Sequence, residues 1–106
     1  CKTMIVRFWR TNVISEKIDG WDRLLGEDAI GKLRQNEDCL YVFAGKDTSK
    51  QPPVVVNITI WRDLEAIKKF FGKKWKEAFI PPDEAPLIKG ETQIDHYDII
   101  GQYTKS

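Results

Sequence analysis

The chain has 106 residues, of which 42% are apolar and 31% are charged, and its formal net charge is +1. These values are typical of one globular domain, and the near-neutral charge gives no support for binding to nucleic acid or to an acidic membrane surface. No apolar run is long enough for a membrane span or resembles a signal peptide. We therefore expect a single domain over residues 1–106 that binds neither nucleic acid nor a membrane.

Two cysteines, Cys1 and Cys39, and one histidine, His96, offer little material for covalent or metal chemistry. Cys1 is at the edge of the chain, where residues are often poorly ordered, and Cys39 suits a small apolar core position. Two cysteines do not form a disulfide framework, which favours a reducing, cytoplasmic setting. The spacing of the three residues fits no metal-ligand pattern, so we predict no bound metal.

The first strand is predicted over residues 4–10, because that run is mostly β-branched and aromatic. Side chains alternate between the two faces of a strand, so Ile5, Arg7 and Trp9 should share one face. Arg7 and Trp9 are candidate substrate-binding residues if that face is enclosed. The plainer alternative for Arg7 is an ion pair with Asp98 across the sheet.

A helix is predicted over residues 16–26 from apolar residues at helical spacing, with Ser15 as its N-cap. Gly26 and Gly31 are expected to end it, because glycine is unfavourable within a helix. A second strand is predicted over residues 39–45.

The third strand is predicted over residues 54–61, which read VVVNITIW. Asn57, Thr59 and Trp61 share one face, and valine and isoleucine cover the other. A buried amide needs hydrogen-bond partners, so Asn57 either pairs with neighbouring groups or faces a site. Because the strand is apolar on both faces, both faces should be covered.

The second helix should begin after an N-cap at Asp63, carry an apolar stripe that includes Phe71, and end at Gly72. A short helical piece that presents Trp75 is predicted over residues 73–79. Phe71 and Trp75 are candidate contacts for a bound small molecule.

The connection over residues 73–90 contains three prolines, which exclude regular structure from its second half. It is longer than most connections and too apolar for disorder. We expect it to pack over a pocket mouth or onto a partner subunit. The last strand is predicted over residues 93–100.

The element order β-α-β-β-α-β predicts a ferredoxin-like α+β fold, in which both helices cover one face of a four-stranded antiparallel sheet. The two helices leave the second face of the sheet uncovered, although the third strand is apolar there. A second copy of the sheet would cover it, so we predict a two-fold homodimer.

The element order and the segment NITIWRDLEAIKKFFG resemble the antibiotic biosynthesis monooxygenase superfamily, the dimeric α/β barrels. In that superfamily a strand that ends in Trp leads into a helix of the pattern W-x-[ST/D]-x-E-A, which here matches Trp61, Asp63, Glu65 and Ala66. The resemblance covers residues 4–100 and implies the fold. It is less specific for activity, because one scaffold hosts many functions.

The cofactor-free, quinone-forming members carry an Asn and a Trp four residues apart on this strand, which is the spacing of Asn57 and Trp61. The resemblance therefore implies oxygenation of a small aromatic or quinone-type molecule without a cofactor. In such chemistry an electron-rich phenol or enol loses a proton and reduces oxygen itself. The protein supplies a dry pocket and a donor such as the Asn57 amide for the developing oxyanion.

The sequence also departs from two branches of the superfamily. Haem-degrading members have a His after the second helix, where this chain has Phe79, and an Asn on the first strand, where it has Trp9. We therefore reject haem degradation as the primary interpretation. The Tyr and Arg partners of the quinone-forming members have no match that we can identify in this chain.

His96 is the only side chain in the sequence whose ordinary pKa is near neutrality. As a catalytic base it would remove the phenolic or enolic proton, with Asp98 on the same strand face to orient its ring. The alternative is a structural hydrogen bond.

The sequence supports three functional hypotheses. The first is a cofactor-independent monooxygenase-like enzyme, and the second is a non-catalytic domain of the same fold that binds a small hydrophobic ligand or only dimerises. The third, RNA binding, shares the topology, but the third strand has no exposed aromatic pair and no Arg or Lys, so we discount it. An enclosed apolar cavity with Asn57 and Trp61 in its wall would favour the enzyme, and a filled interior would favour the second hypothesis.

Overall fold

A computed structural model describes residues 3–105 and contains one antiparallel sheet with helical regions on one face. Cys1 lies outside the described residues, so its predicted disorder stays a prediction. The strands are β1 Ile5–Asn12, β2 Cys39–Asp47, β3 Val54–Trp61 and β4 Gln93–Asp98. Their order in the sheet is β2-β3-β1-β4, which confirms the predicted ferredoxin-like arrangement.

The four predicted strands are confirmed, and their residues alternate between one covered face and one open face of the sheet. Burial along β1 alternates residue by residue, with Ile5, Arg7 and Trp9 on the covered face. Pairing with the neighbouring strands places Trp9 opposite Asn57 and Arg7 between Thr59 and His96. The covered face of the two central strands therefore carries a group of polar side chains.

The first helical region, residues 15–33, runs without a break. It consists of a 3₁₀ turn Ser15–Gly20, α1 Trp21–Arg23, a π-helix Leu24–Ala29 and α2 Ile30–Leu33. The prediction that Gly26 and Gly31 end the helix is therefore wrong. Glycine costs about 1 kcal/mol within a helix, and the burial of Trp21, Leu25 and Leu33 against the sheet outweighs that amount.

The predicted N-cap at Ser15 is also wrong. Ser15 is the first residue of the 3₁₀ turn, and no side chain caps the turn at Ile14. The Ser15 hydroxyl instead donates to Gln51 Oε1 at 3.3 Å.

The second helix, α3 Leu64–Phe71, has the predicted ends. The Asp63 carboxylate accepts from the backbone N–H of Ala66 at 2.9 Å, which satisfies a free donor of the first turn. Gly72 ends the helix with a φ of 79°, a conformation that favours glycine. The helical piece predicted over residues 73–79 is reduced to the 3₁₀ turn Gly72–Lys74.

Residues 75–92 form a crossing segment that leads from α3 back to the sheet edge. It is irregular apart from the 3₁₀ turn Ala85–Leu87. Its far end is fixed to the end of β1, because Ile14 N donates to the carbonyl oxygen of Leu87 at 2.9 Å and Lys89 N donates to that of Asn12 at 2.8 Å.

The outer face of the sheet, opposite the helical regions, is uncovered within residues 3–105. Tyr41, Phe43 and Tyr97 are 44%, 54% and 56% exposed there, and Tyr41 and Phe43 stack with ring centroids 6.1 Å apart. Among the described residues, no helix is both long and apolar enough to span a membrane.

Candidate active site

A cavity of about 140 Å³ lies between the covered face of the sheet and the helical regions. Its floor is polar and includes Arg7, Asn57 and Thr59, and its walls include the rings of Phe71 and Phe79. A protein cavity of roughly 150 Å³ accommodates benzene. The space therefore matches a molecule with a single aromatic ring.

The π-helix shapes one wall of this cavity. The residues that the first helical region contributes recur in pairs every four positions, namely Leu24 and Leu25, Asp28 and Ala29, and Lys32 and Leu33. In a regular α-helix a four-residue repeat rotates gradually away from one face, because each turn contains 3.6 residues. The wider π turn corrects this rotation, so all three pairs face the cavity.

Arg7 is 3% exposed and organises the polar floor. Its Nη1 donates to the carbonyl oxygen of Trp75 at 2.6 Å, and its Nη2 donates to that of Glu77 at 3.3 Å. The guanidinium lies 3.8 Å from the ring centroid of Phe71, a favourable cation–π contact. Burial lowers the pKa of Arg7 to about 10, so it remains charged at neutral pH.

The Arg7 charge forms no ion pair with a carboxylate within residues 3–105. The predicted partner Asp98 lies opposite Ile5, and His96 occupies the position opposite Arg7. The alternative of an Arg7–Asp98 pair is therefore wrong. Burial of a cation without a neutralising partner costs free energy. The Arg7 charge would therefore favour binding of a ligand atom that carries or develops negative charge.

His96 lies behind Arg7 and outside the cavity wall. Arg7 Nη1 donates to His96 Nε2 at 2.9 Å, and an arginine cannot accept, so Nε2 carries a lone pair and Nδ1 holds the proton. Burial and the Arg7 charge lower the pKa of His96. The ring also packs edge-on against Trp75, with centroids 5.1 Å apart. This arrangement orients Arg7 and leaves Nε2 unavailable as a base.

Two polar groups on the floor have no hydrogen-bond partner among the described residues. They are Asn57 Oδ1 and Trp9 Nε1, both buried, on residues directly opposite each other in β3 and β1. The two ends of an amide are interchangeable by rotation, so Asn57 can present an acceptor or a donor. Buried polar atoms are normally paired. These two can therefore each form a hydrogen bond with a polar atom of a bound ligand.

Trp61 is on the same strand face as Asn57 but does not reach the cavity. It is completely buried and contacts Phe70 and Phe71 with centroids 5.4 Å and 5.7 Å away. Its Nε1 donates to Thr59 Oγ1 at 2.8 Å. Trp61 therefore supports the floor from beneath α3, whereas Asn57 forms part of it.

The structure brings together in the cavity wall five of the predicted site residues, namely Arg7, Trp9, Asn57, Thr59 and Phe71. It leaves Trp61, Trp75 and His96 outside that wall. The crossing segment lines the cavity with Phe79 and Pro81, which is one of the two positions expected for it.

Glu84, on the crossing segment, is a cavity residue that the sequence did not identify. It is 5% exposed, and its carboxylate has no hydrogen bond or ion pair within residues 3–105. Burial, reinforced by the neighbouring charge of Asp83, raises its pKa to about 7 against the opposing effect of Lys32. Its only signal in the sequence is an acid placed between prolines, next to a second acid, Asp83.

No family model matches the chain, and no curated protein matches it. Solved structures match over almost its whole length. A candidate antibiotic biosynthesis monooxygenase from Caulobacter crescentus has a TM-score of 0.72 and 16% identity, and the match covers 94% of this chain and 92% of that one. A conserved protein from Methanosarcina mazei has a TM-score of 0.70 and 20% identity over 91% of this chain and 92% of its own.

A monooxygenase from Streptomyces coelicolor, whose structure contains the ligand nanaomycin D, has a TM-score of 0.64 and 18% identity. The match covers 98% of this chain and 94% of that one. Identities this low establish a shared fold and leave the activity open. The resemblance to the antibiotic biosynthesis monooxygenases is confirmed at the level of the fold.

Proposed function

We propose that the protein oxygenates a small, single-ring phenol or hydroquinone with molecular oxygen and without a metal or an organic cofactor. The observation that carries the proposal is a cavity sized for one ring whose floor combines the unpaired Asn57 amide and Trp9 indole N–H with the Arg7 charge. Monooxygenases of the same fold add support to this choice of chemistry.

The reaction balances with oxygen as the only oxidant. A phenol with a para hydrogen and O₂ give a para-quinone and water: one oxygen atom forms the new carbonyl at the para carbon, and the other leaves as water with the para hydrogen and the hydroxyl hydrogen. A hydroquinone is oxygenated at a ring carbon that carries hydrogen and gives a hydroxyquinone and water, because its two hydroxyl groups become the quinone carbonyls. Loss of the hydroxyl proton places negative charge on the phenolic oxygen. Arg7 and Asn57 would stabilise that charge in a site from which the apolar walls exclude water.

The test is oxygen consumption with a panel of single-ring phenols and hydroquinones, corrected for their spontaneous oxidation. Asn57→Ala should lower the protein-dependent rate by about 10²–10³-fold, the effect of removing one oxyanion donor. Its melting temperature should change little, because the Asn57 amide pairs with no described residue whose partner it would remove.

Asn12→Ala is the matched control. Asn12 is an asparagine of β1 outside the cavity, and its Nδ2 donates to the carbonyl oxygen of Pro52 at 3.2 Å. It should keep full activity. Binding of the phenols without oxygen uptake by the wild type would contradict the enzymatic proposal and support a ligand-binding domain.

We also propose that two copies of the chain associate through their outer faces. Tyr41, Phe43 and Tyr97 form an apolar surface there, which continues over the half-buried Phe8 and Ile58 at the centre of the sheet. Exposed apolar patches of this kind mark interaction sites. A two-fold pair would bury the same patch on both copies.

A further inference from the structure

Glu84 and the two unpaired floor groups line one cavity. Glu84 enters the cavity from the crossing segment, whereas Trp9 and Asn57 belong to the sheet. Trp9 is 7% exposed and Glu84 is 5% exposed, and neither side chain's polar end has a protein partner among the described residues. We propose that Glu84 is the catalytic base that accepts the hydroxyl proton of a phenol bound in this cavity, an inference that rests on the proposed function.

The backbone around Glu84 is held in a defined position. Its N–H donates to the carbonyl oxygen of Pro81 at 2.9 Å, and its own carbonyl oxygen accepts from Leu87 N at 2.9 Å. Leu87 in turn accepts from Ile14 N at the end of β1, and Pro81 and Pro86 restrict the backbone on either side. A base held in this way needs little reorganisation to meet a substrate.

The charges around Glu84 suit a proton acceptor. Asp83 on the same segment disfavours its ionised form and Lys32 on the first helical region favours it, while Asp28 and Arg7 line the same cavity from two other elements. Burial without a donor further favours the protonated state. The resulting pKa of about 7 lies where a general base works best at neutral pH.

Proton transfer to Glu84 breaks one bond and forms one. The substrate O–H bond breaks, the proton binds to a carboxylate oxygen of Glu84, and the electron pair stays on the phenolic oxygen. The negative charge thus moves from Glu84 to the substrate, which shares its cavity with the Arg7 guanidinium. His96 cannot replace Glu84 in this role, because its Nε2 already accepts from Arg7.

The test uses 4-nitrophenol, a single-ring phenol whose ionised form absorbs at a longer wavelength than its neutral form. The bound probe is titrated with pH in the absence of oxygen, so the result does not depend on turnover. If Glu84 and the probe share a proton, the phenolate absorbance of the wild-type complex should rise in two steps, as expected for two coupled groups. In Glu84→Gln it should rise in one step.

Glu91→Gln is the matched control, because Glu91 is an exposed glutamate of the same crossing segment outside the cavity wall, and this variant should keep both steps. The fold of Glu84→Gln is checked by melting. Since the folded-state pKa is raised, the stability contributed by protonated Glu84 is fully present below about pH 4.5 and is lost as the pH rises through about 7. Glu84→Gln should therefore melt above the wild type at pH 8 and together with it at pH 4.

Three results would each overturn the assignment of Glu84 as the base. They are a single step in the absorbance titration of the wild type, two steps in that of Glu84→Gln, and failure of 4-nitrophenol to bind. Two steps together with no oxygen uptake on any phenol would overturn the proposed oxygenation and support the proton transfer. Where turnover is found, Glu84→Gln should lower its rate by about 10²–10⁴-fold, the usual contribution of a general base. An unchanged rate would count against Glu84.

Discussion

Arg7 connects three parts of the molecule through one guanidinium group. It lines the cavity, donates to two carbonyl oxygens of the crossing segment, and donates to His96. The three hydrogen bonds are partly buried, and a neutral side chain at this position would leave their acceptors without this donor. An unmet hydrogen-bonding group costs about 1–3 kcal/mol, partly offset here by removal of a desolvated charge.

We expect Arg7→Met to lower the free energy of unfolding by about 2 kcal/mol, because it leaves three acceptors unpaired. It should also raise the pKa of His96, because the Arg7 charge now lowers it. Denaturant unfolding measures the first effect, and an NMR titration of the single histidine measures the second.

Arg10→Met provides the control for this change. Arg10 is on the outer face of β1, and its only side-chain hydrogen bond to another residue within 3–105 is to Gln93 Oε1 at 3.5 Å. Its replacement should alter stability by less than about 0.5 kcal/mol. If Arg7→Met were as stable as Arg10→Met and left the His96 pKa unchanged, the anchoring role of Arg7 would be wrong.

The floor of the cavity could be predicted from the sequence, but the wall formed by the crossing segment could not. Strand alternation assigned Arg7 and Asn57 to one face, and that assignment depends only on the two-residue period. The same rule could not show that α3 covers Trp61. Strand alternation identifies the face on which a side chain lies, but not which other element packs over it. Glu84 was missed because a proline-rich connection has no period from which to infer the direction of a side chain.

At the scale of secondary structure, the first helical region is uninterrupted, so replacing one of its glycines tests how much that glycine lowers the stability of the fold. Gly31 lies in α2, and a Cβ built on it meets no atom within 4 Å. Gly31→Ala should therefore raise the free energy of unfolding by about 0.5–1 kcal/mol, since alanine restricts the unfolded chain and favours a helix. Thermal or denaturant unfolding measures the change.

Gly72→Ala should have the opposite sign. Its Cβ would also find open space, but its φ of 79° is unfavourable for an L-residue. We expect a loss of about 1 kcal/mol. Equal effects of the two substitutions would contradict the different backbone conformations that the structure assigns to these glycines.

The two helices differ in how well local sequence predicts them, for a physical reason. Both ends of α3 carry local signals, the Asp63 cap and the Gly72 terminus, and both signals are confirmed. The first helical region is instead stabilised by buried side chains such as Trp21 and Leu25 packed on the sheet. Tertiary packing therefore overrides the breaking tendency of its glycines, and a local signal cannot report that contribution.

At the scale of the whole molecule, the outer face should determine the assembly. Phe43→Asp would place a charge within the proposed contact, where an unpaired charge is costly. We expect it to convert the dimer into a folded monomer in sedimentation velocity. Phe79→Asp is the matched control, because Phe79 is 61% exposed but lies at the cavity on the other side of the sheet.

Phe79→Asp should sediment as the wild type does. A wild-type chain that is monomeric at micromolar concentration would contradict the proposed dimer. A Phe43→Asp chain that remains dimeric would place the contact on a different surface.

Because Arg7 both lines the cavity and holds the crossing segment, it also limits how proteins descended from this one can diverge in sequence. A substitution there changes the polarity of the floor and releases the crossing segment in the same step, since both depend on one guanidinium. The side chains of Leu24, Ala29 and Phe79 line the same cavity and form no hydrogen bond within residues 3–105. Under selection to stay folded, substitutions at these wall residues can change the shape of the cavity. Related proteins would then bind substrates of different shape while they keep the cationic floor.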